Sequence, residues 1–506
     1  MMTILSKYTF MIIIVFVCSI VKAQDVSIYI QIEDNEIVPH LTKSKNSDCL
    51  EIKAKDPSLN ELYKRFNIKK FGKAFPTAVT PRLQNTYLII CNDKKLGEEI
   101  KKRYKEKIPR VEVAEETPML TYDPNDYGLA LGQPNLDLIN AKTAWDIVLG
   151  LPKVDIAISD TYFDLNHEDL NMTLFSGSNN SNVSVMYHGT FVAGLTGAIT
   201  NNSKGLSSVG FDTHLAVTSN YANHNEVLLL AQAGYRVINC SWETHCSPIS
   251  SIEDVYNEIR NVWDAVVVFG AGNSGARNCG NNNPAYPGSY DANIAVTSVG
   301  HINDYGTPGT PANNWKDVHE EVIGDSLKAH KHHSTIDICA PGYNVSSTDV
   351  MGALGLSATN YANSWGTSFA APQVSATLGL IFSVNPCLSA DGAVDILLNN
   401  ADNSIYSIPE NTQYIGRIGA GRLDVNASVE AAAESATTYL QNLTLTGTQV
   451  IQDNYAIRVM SDVAVAQGAS IGFITRKEVT IEKGFEVGMG AELTINVDVH
   501  NSINCN

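Results

Sequence analysis

Ser368 lies in Gly366-Thr367-Ser368-Phe369-Ala370-Ala371-Pro372, a turn of small residues followed by an apolar run over 374–380. That pattern predicts a strand-to-helix corner that presents a hydroxyl. A serine hydroxyl is a poor nucleophile at neutral pH. It needs an imidazole to take its proton, and the imidazole needs a carboxylate to fix its tautomer. Both groups occur upstream in suitable settings. Asp160 ends the strand pattern Val154-Asp155-Ile156-Ala157-Ile158-Ser159-Asp160, and His188 heads the apolar helix pattern His188-Gly189-Thr190-Phe191-Val192-Ala193-Gly194. The oxyanion formed by attack on a carbonyl needs a donor, and Asn273 offers one in the Gly-rich loop after the buried-strand run 266–270. Each of these residues alone is common as a cap, a core group or a turn. Asp, His, Asn and Ser in this order and context point to acyl transfer.

Bringing these groups together requires several strands that end at one edge. Over residues 138–433 short β-rich apolar runs alternate with helical stretches, which predicts an α/β fold with a layered parallel β-sheet and flanking helices. Residues 24–122 alternate strand patterns (26–32, 86–91, 110–113) with a charged helix (94–105), a small α/β unit. Residues 440–499 have short Val/Ile/Thr runs punctuated by Gly. There Val463-Ala464-Val465 with Gly468 is echoed by Val479-Thr480-Ile481 with Gly484, and Gly468-Ala469-Ser470-Ile471 by Gly490-Ala491-Glu492-Leu493. Such repetition predicts stacked β-rungs, with surface attachment or glycan binding as a hypothesis for their role.

The 506 residues suffice for two or three domains, and 44% hydrophobic content fits a globular protein with a large core. Residues 1–23 read as an export signal, with Lys7 ahead of the apolar run 10–20 and Val21-Lys22-Ala23 before the expected cut. A secreted protein is expected, whether extracellular, periplasmic or at the cell surface, and no later stretch is apolar enough for a transmembrane segment. Of the nine cysteines, the eight after Cys18 are expected to pair in part, with Cys240 and Cys339 left as buried strand thiols. Residues 24–122 hold 18 Lys and Arg against 15 Asp and Glu, whereas residues 123–506 hold 15 against 38. The acidic body argues against nucleic acid as a partner; opposite charge favours docking of the basic front on it, and a solvated acidic surface explains the body equally well without any partner. An insertion at 301–334 carries His319, His330, His332 and His333 among Gly, Pro and Asn. Its spacing matches no compact ligand set, so a solvated loop is expected.

Over about residues 123–436 these segments resemble the subtilisin-like serine peptidases (subtilases). Asp160-Thr161 with Asp164, His167, Asp169 and Leu170 resembles the family's aspartate segment, and Val237-Ile238-Asn239-Cys240-Ser241 its substrate-binding strand. Ile336-Asp337-Ile338-Cys339-Ala340-Pro341-Gly342 resembles the strand before the nucleophile, and Gly419-Ala420-Gly421-Arg422-Leu423-Asp424-Val425 the closing segment. The resemblance implies a secreted serine endopeptidase acting on protein or peptide substrates. Asp160, His188 and Ser368 would be its triad, Asn273 with the Ser368 N–H its oxyanion donors, and Ser241, Trp242, Glu243 and Gly272 its substrate-binding residues. It also implies a propeptide over 24–122 that assists folding and acts as an intramolecular inhibitor, a catalytic domain over 123–436 and a small β-rich C-terminal domain over 437–506. A disulfide between Cys246 and Cys279 is implied as well. No cofactor is implied for the chemistry. A structural calcium ion would sit on Asp169, the Asn202 side chain and the carbonyls of Thr200, Lys204 and Leu206, against the alternative of a plain polar turn.

Several residues depart from the family pattern. Tyr162 stands where a glycine is usual, Phe191 where a second histidine is common, and Trp242 and Glu243 where Leu and Gly are usual. Glu243 is expected to crowd a wall of the substrate site and to disfavour bulky acidic side chains. Tyr162 keeps a second reading open, a catalytically weak subtilase-like adhesin or binding module.

Overall fold

The structure, a computed structural model, describes residues 26–32, 38–43, 50–66, 68–74, 80, 82, 85–91, 95–105, 107–113, 122–178, 183–273, 279, 283–300, 330–352, 354–407, 409–482, 484–500 and 505. The expected export signal, His319 and residues 115–121 between the two expected domains lie outside the described residues. The chain divides into two compact units, Met1–Leu120 and Thr121–Asn506.

The first unit contains β1 (Val26–Gln31), the antiparallel pair β2 (His40–Lys43) and β3 (Leu50–Lys53), α1 (Pro57–Lys64), β4 (Ile68–Lys73), β5 (Thr86–Cys91), α2 (Lys95–Arg103) and β6 (Arg110–Val113). Four strands form an antiparallel sheet in the order β4-β5-β1-β6. Burial alternates along β5, as in a sheet with one covered face. Asp56 caps α1 by accepting from the N–H groups of Ser58 (3.0 Å) and Leu59 (3.3 Å), and Pro57 pre-sets the first turn. Leu59, Leu62, Leu96 and Ile100 from the helices close a core with Ile28, Ile30 and Ile89.

The second unit runs through α3 (Pro134–Leu138), α4 (Ala141–Val148), β7 (Ile156–Ser159), β8 (Met172–Ser176), α5 (Val183–Gly197), β9 (Leu215–Thr218), α6 (His224–Gln232), β10 (Val237–Cys240), α7 (Ser250–Asn261), β11 (Val266–Gly270), β12 (Asn293–Val299) and β13 (Ile338–Pro341). An antiparallel pair, β14 (Val345–Thr348) and β15 (Tyr361–Ser364), precedes the long helix α8 (Thr367–Val384). Seven strands form the expected parallel sheet, ordered β13-β12-β11-β10-β7-β9-β8. Successive strand residues serve opposite layers. Ile156, Ile158, Val266 and Val268 share a core with Phe191 of α5 and Val374 of α8, whereas Ala157, Val267 and Phe269 share one with Leu230 of α6 and Tyr256 of α7. Helix α8 is apolar all round because both its sides are covered. It is the one described helix long and apolar enough to cross a membrane, and it lies buried in this unit.

From β7 the chain fills one side of the sheet with β8 and β9, then crosses to build β10 through β13 on the other. Connections therefore diverge at the carboxyl ends of β7 and β10, and a crevice opens at such a switch point.

After α9 (Ala390–Asn399) and α10 (Val425–Ser435) come nine short strands in three parallel stacks. One stack holds β16 (Thr437–Leu440), β19 (Ala456–Val459) and β22 (Glu478–Ile481). A second holds β17 (Leu443–Leu445), β20 (Val463–Val465) and β23 (Glu486–Val487), and a third β18 (Thr448–Asp453), β21 (Ser470–Thr475) and β24 (Glu492–Val497). The rungs are there, around Ile457, Val463, Ile471 and Phe473. One sequence echo matches the register, with Ser470 opposite Glu492 and Ile471 opposite Leu493. The other does not: residues 463–465 and 479–481 belong to different stacks, because position around the coil, not composition, assigns a strand to its face. The Cys387–Cys505 disulfide joins the chain's end to the segment after α8, and the Arg476 guanidinium donates to the carbonyls of Ser383 (3.2 Å) and Val499 (3.3 Å).

Candidate active site

Asp160 is the first residue beyond β7, and its N–H donates to the Thr218 carbonyl at the end of β9 (3.1 Å). Its carboxylate is buried. Oδ1 accepts from Thr161 N–H (2.7 Å) and from His188 Nδ1 (2.7 Å), while Oδ2 has no hydrogen-bond partner among the described residues. His188 sits within α5, its ring 5.4 Å from that of Phe369. With Nδ1–H donated to Asp160, Nε2 is the bare nitrogen and so the base. Burial opposes a charge on His188, but the carboxylate of Asp160 and its hydrogen bond outweigh burial and raise the pKa. Tyr162 is not among the residues with positive φ, so the missing glycine leaves the pair intact.

Ser368 stands in the first turn of α8. Gly366 precedes the helix at φ 144, where a side chain would strain the backbone, and a Cβ there would touch Asn273 Nδ2 at 3.4 Å. Pro372 has no N–H to return to the Ser368 carbonyl, which instead accepts from Ser241 Oγ (2.7 Å). In return Ser368 Oγ donates to the Ser241 carbonyl (3.1 Å). The nucleophile's turn is thereby fastened to the segment leaving β10, with its hydroxyl on Ser241 rather than on His188.

Asn273 follows β11. Its Oδ1 accepts from Thr367 N–H (3.0 Å) and Thr367 Oγ1 (3.3 Å), and Thr367 Oγ1 accepts from Gly272 N–H (3.0 Å). Fixing the amide oxygen turns Nδ2 away from Thr367, and Ser368, in the first turn of the helix, has an N–H with no intrahelical acceptor. Sequence reading passed over Thr367 and two other positioning residues. Ser375 Oγ donates to Asn239 Oδ1 (2.9 Å), and Asn239 Nδ2 donates to Ser241 Oγ (2.9 Å). The available signal was a polar residue, Asn239, inside a fully buried strand; Ser375 is one of several polar residues in α8 and gave none.

Other expected positions differ. The Trp242 indole is turned into the core, donating to the Ser159 carbonyl (2.9 Å) beside Phe269. Phe191 is buried with its ring 4.4 Å from that of Phe369. Glu243 is buried and paired with Lys331 (3.0 Å), so its charge is offset. The Cys246–Cys279 disulfide is present, and Cys240 and Cys339 are buried thiols. The solvated-loop expectation fails for His330, His332 and His333, all buried. His330 bridges to Asn273, Lys331 N–H donates to the Gly272 carbonyl (3.1 Å), and His332 packs on Tyr414. Their partners lie far off in the chain, which local composition does not disclose. No cluster of three or more metal-binding side chains occurs among the described residues.

The loop expected to hold calcium brings its residues to buried Asp169. Asn202 Nδ2 donates to Oδ1 (2.7 Å) and Leu206 N–H to Oδ2 (2.9 Å), while Asn202 Oδ1 accepts from Lys204 N–H (2.7 Å). Burial, with Asp126 and Glu168 nearby, pushes the Asp169 carboxyl up to about 7. The carbonyls of Thr200, Lys204 and Leu206 accept no hydrogen bond from described residues. Unengaged carbonyls beside a buried carboxylate are hard oxygen donors, so the residue set fits Ca²⁺ once the Asn202 amide turns its oxygen inward.

A family model described as the subtilase family matches residues 152–421. The chain is 28% identical over 297 residues to a thermophilic serine proteinase of Bacillus sp. (strain AK1), covering 54% of this chain and 64% of the relative. It is 28% identical over 312 residues to halolysin of Haloferax mediterranei, covering 58% and 52%. It is 28% identical over 276 residues to thermitase of Thermoactinomyces vulgaris, covering 52% and 86%. The match thus spans less than two thirds of the length of the first two relatives.

Proposed function

Because the chain belongs to the subtilase family, we propose that it is a secreted serine endopeptidase made as a zymogen. Ser368 Oγ attacks the scissile carbonyl as His188 Nε2 takes its proton. Asn273 Nδ2 and the Ser368 N–H hold the oxyanion, and His188 returns the proton to the leaving amine. Water then repeats the sequence on the acyl-enzyme. The observation that carries this reading is the contact of a buried Asp160 with a partly exposed His188 at 2.7 Å, together with an Asn273 amide already fastened by Thr367 beside Ser368. A relative named as a serine proteinase supports it. The first unit is proposed as the inhibitory propeptide, and a calcium ion on the 200–206 loop as a structural ligand. The binding-module alternative rested on Tyr162, whose backbone leaves the Asp160–His188 contact in place.

Labelling with an active-site-directed organophosphonate tests the reading, since only a serine with a working base reacts. Wild type is expected to label and Ser368→Ala to remain unlabelled and unprocessed. Absence of label on processed wild type would overturn it.

A further inference from the structure

A substrate bound for the proposed reaction has one side on which its acyl half can lie. His188 protonates the amine, so the leaving half lies on the His188 side. The carbonyl oxygen points at Asn273. The residue that supplies the carbonyl, P1, must therefore send its side chain away from His188, toward the ground between residues 241–243 and the turn of Gly272 and Asn273.

That ground is filled. Gly272 has φ 101 and no side chain, and a Cβ on it would lie 2.2 Å from Glu243 Oε2 and 3.1 Å from Lys331 Cδ. Glu243 thus occupies the space that a glycine at 272 opens. Its carboxylate meets Lys331 Nζ at 3.0 Å, and the two residues are only 7% and 1% exposed. Lys331 is held from both ends of its peptide: its N–H donates to the Gly272 carbonyl (3.1 Å) and its carbonyl accepts from Thr297 Oγ1 (2.6 Å). The pair is built into the backbone beside the oxyanion amide.

We infer that Glu243 and Lys331 together set P1 specificity, admitting Gly, Ala or Ser and excluding aromatic and long aliphatic side chains. This inference rests on the endopeptidase reading. Exclusion works by volume, since the pair is neutral as a unit. A large P1 group would have to displace two buried side chains that fill this ground.

The test compares kcat/KM for tetrapeptide anilides with P1 Ala or Phe, with organophosphonate labelling as a count of working sites. Wild type is expected to prefer Ala by at least about tenfold, and Glu243→Ala/Lys331→Met to shift that ratio at least about tenfold toward Phe. Glu243→Gln/Lys331→Met, which keeps the volume and removes the charges, is expected to retain the wild-type ratio. If the opened double variant does not fold, Glu243→Asp keeps the pair, shortens it by one methylene and should move the ratio the same way. Wild type that cleaves after Phe as well as after Ala overturns the inference. So does an opened variant that labels normally with the ratio unmoved, while the endopeptidase reading survives both. Wild type that neither labels nor cleaves overturns that reading instead.

Discussion

His188 must be neutral to accept the serine proton, so kcat/KM should rise with pH through its pKa. Asp160 holds that pKa above the ordinary imidazole value. The acid limb is therefore expected to have its midpoint above about 6.5. Asp160→Asn should lower the midpoint and cut kcat roughly ten-thousandfold. A pH–rate profile that keeps its midpoint in that variant would remove Asp160 from the mechanism. Asn273→Ala is expected to reduce kcat roughly a hundredfold to a thousandfold with little change in KM, because its amide serves charge present only at the transition state. Thr367→Val should cost about tenfold, since it deletes Oγ1 yet leaves the Thr367 N–H on Asn273. Asp160, Asn273 and Ser368 could be proposed from the sequence because each borders a strongly patterned element, and His188 because it precedes an apolar run, although the helix begins five residues before it. Thr367, Asn239 and Ser375 could not, since their residue types fill turns and helices everywhere and their partners are remote in the chain.

At the level of elements, the sheet was readable because its inner strands are buried on both faces and spell mostly apolar runs. The order β13-β12-β11-β10-β7-β9-β8 was not readable, because no local pattern states which strand lies beside which. The same limit hid the 330–333 segment and the stack assignment of the rungs. The 200–206 loop carries its own test. Bound Ca²⁺ should stabilise the folded state by mass action. Excess chelator is expected to lower the melting temperature of wild type and to leave Asp169→Asn unmoved. A chelator-insensitive wild type would return the loop to an ordinary polar turn, closed by the Asn202 and Leu206 hydrogen bonds to Asp169.

For the whole molecule, the inhibitory role proposed for the first unit, which has its own core, carries its own test. Added separately, residues 24–120 should inhibit processed enzyme, and the inhibition constant should weaken as salt rises through the range where screening shortens to about 8 Å. Inhibition insensitive to salt would assign the contact to apolar surface. A protein with the proposed activity also works among copies of itself, and the Cys387–Cys505 bond, closing a span of 118 residues, bears on what such company does. A single cut anywhere between those cysteines yields two polypeptides that still travel as one molecule, with the rungs shackled to the catalytic body. Such wear would be invisible by size until a reductant is added, whereupon one band should resolve into two. The linkage acts as a tether that lets the protein be nicked without losing its tail.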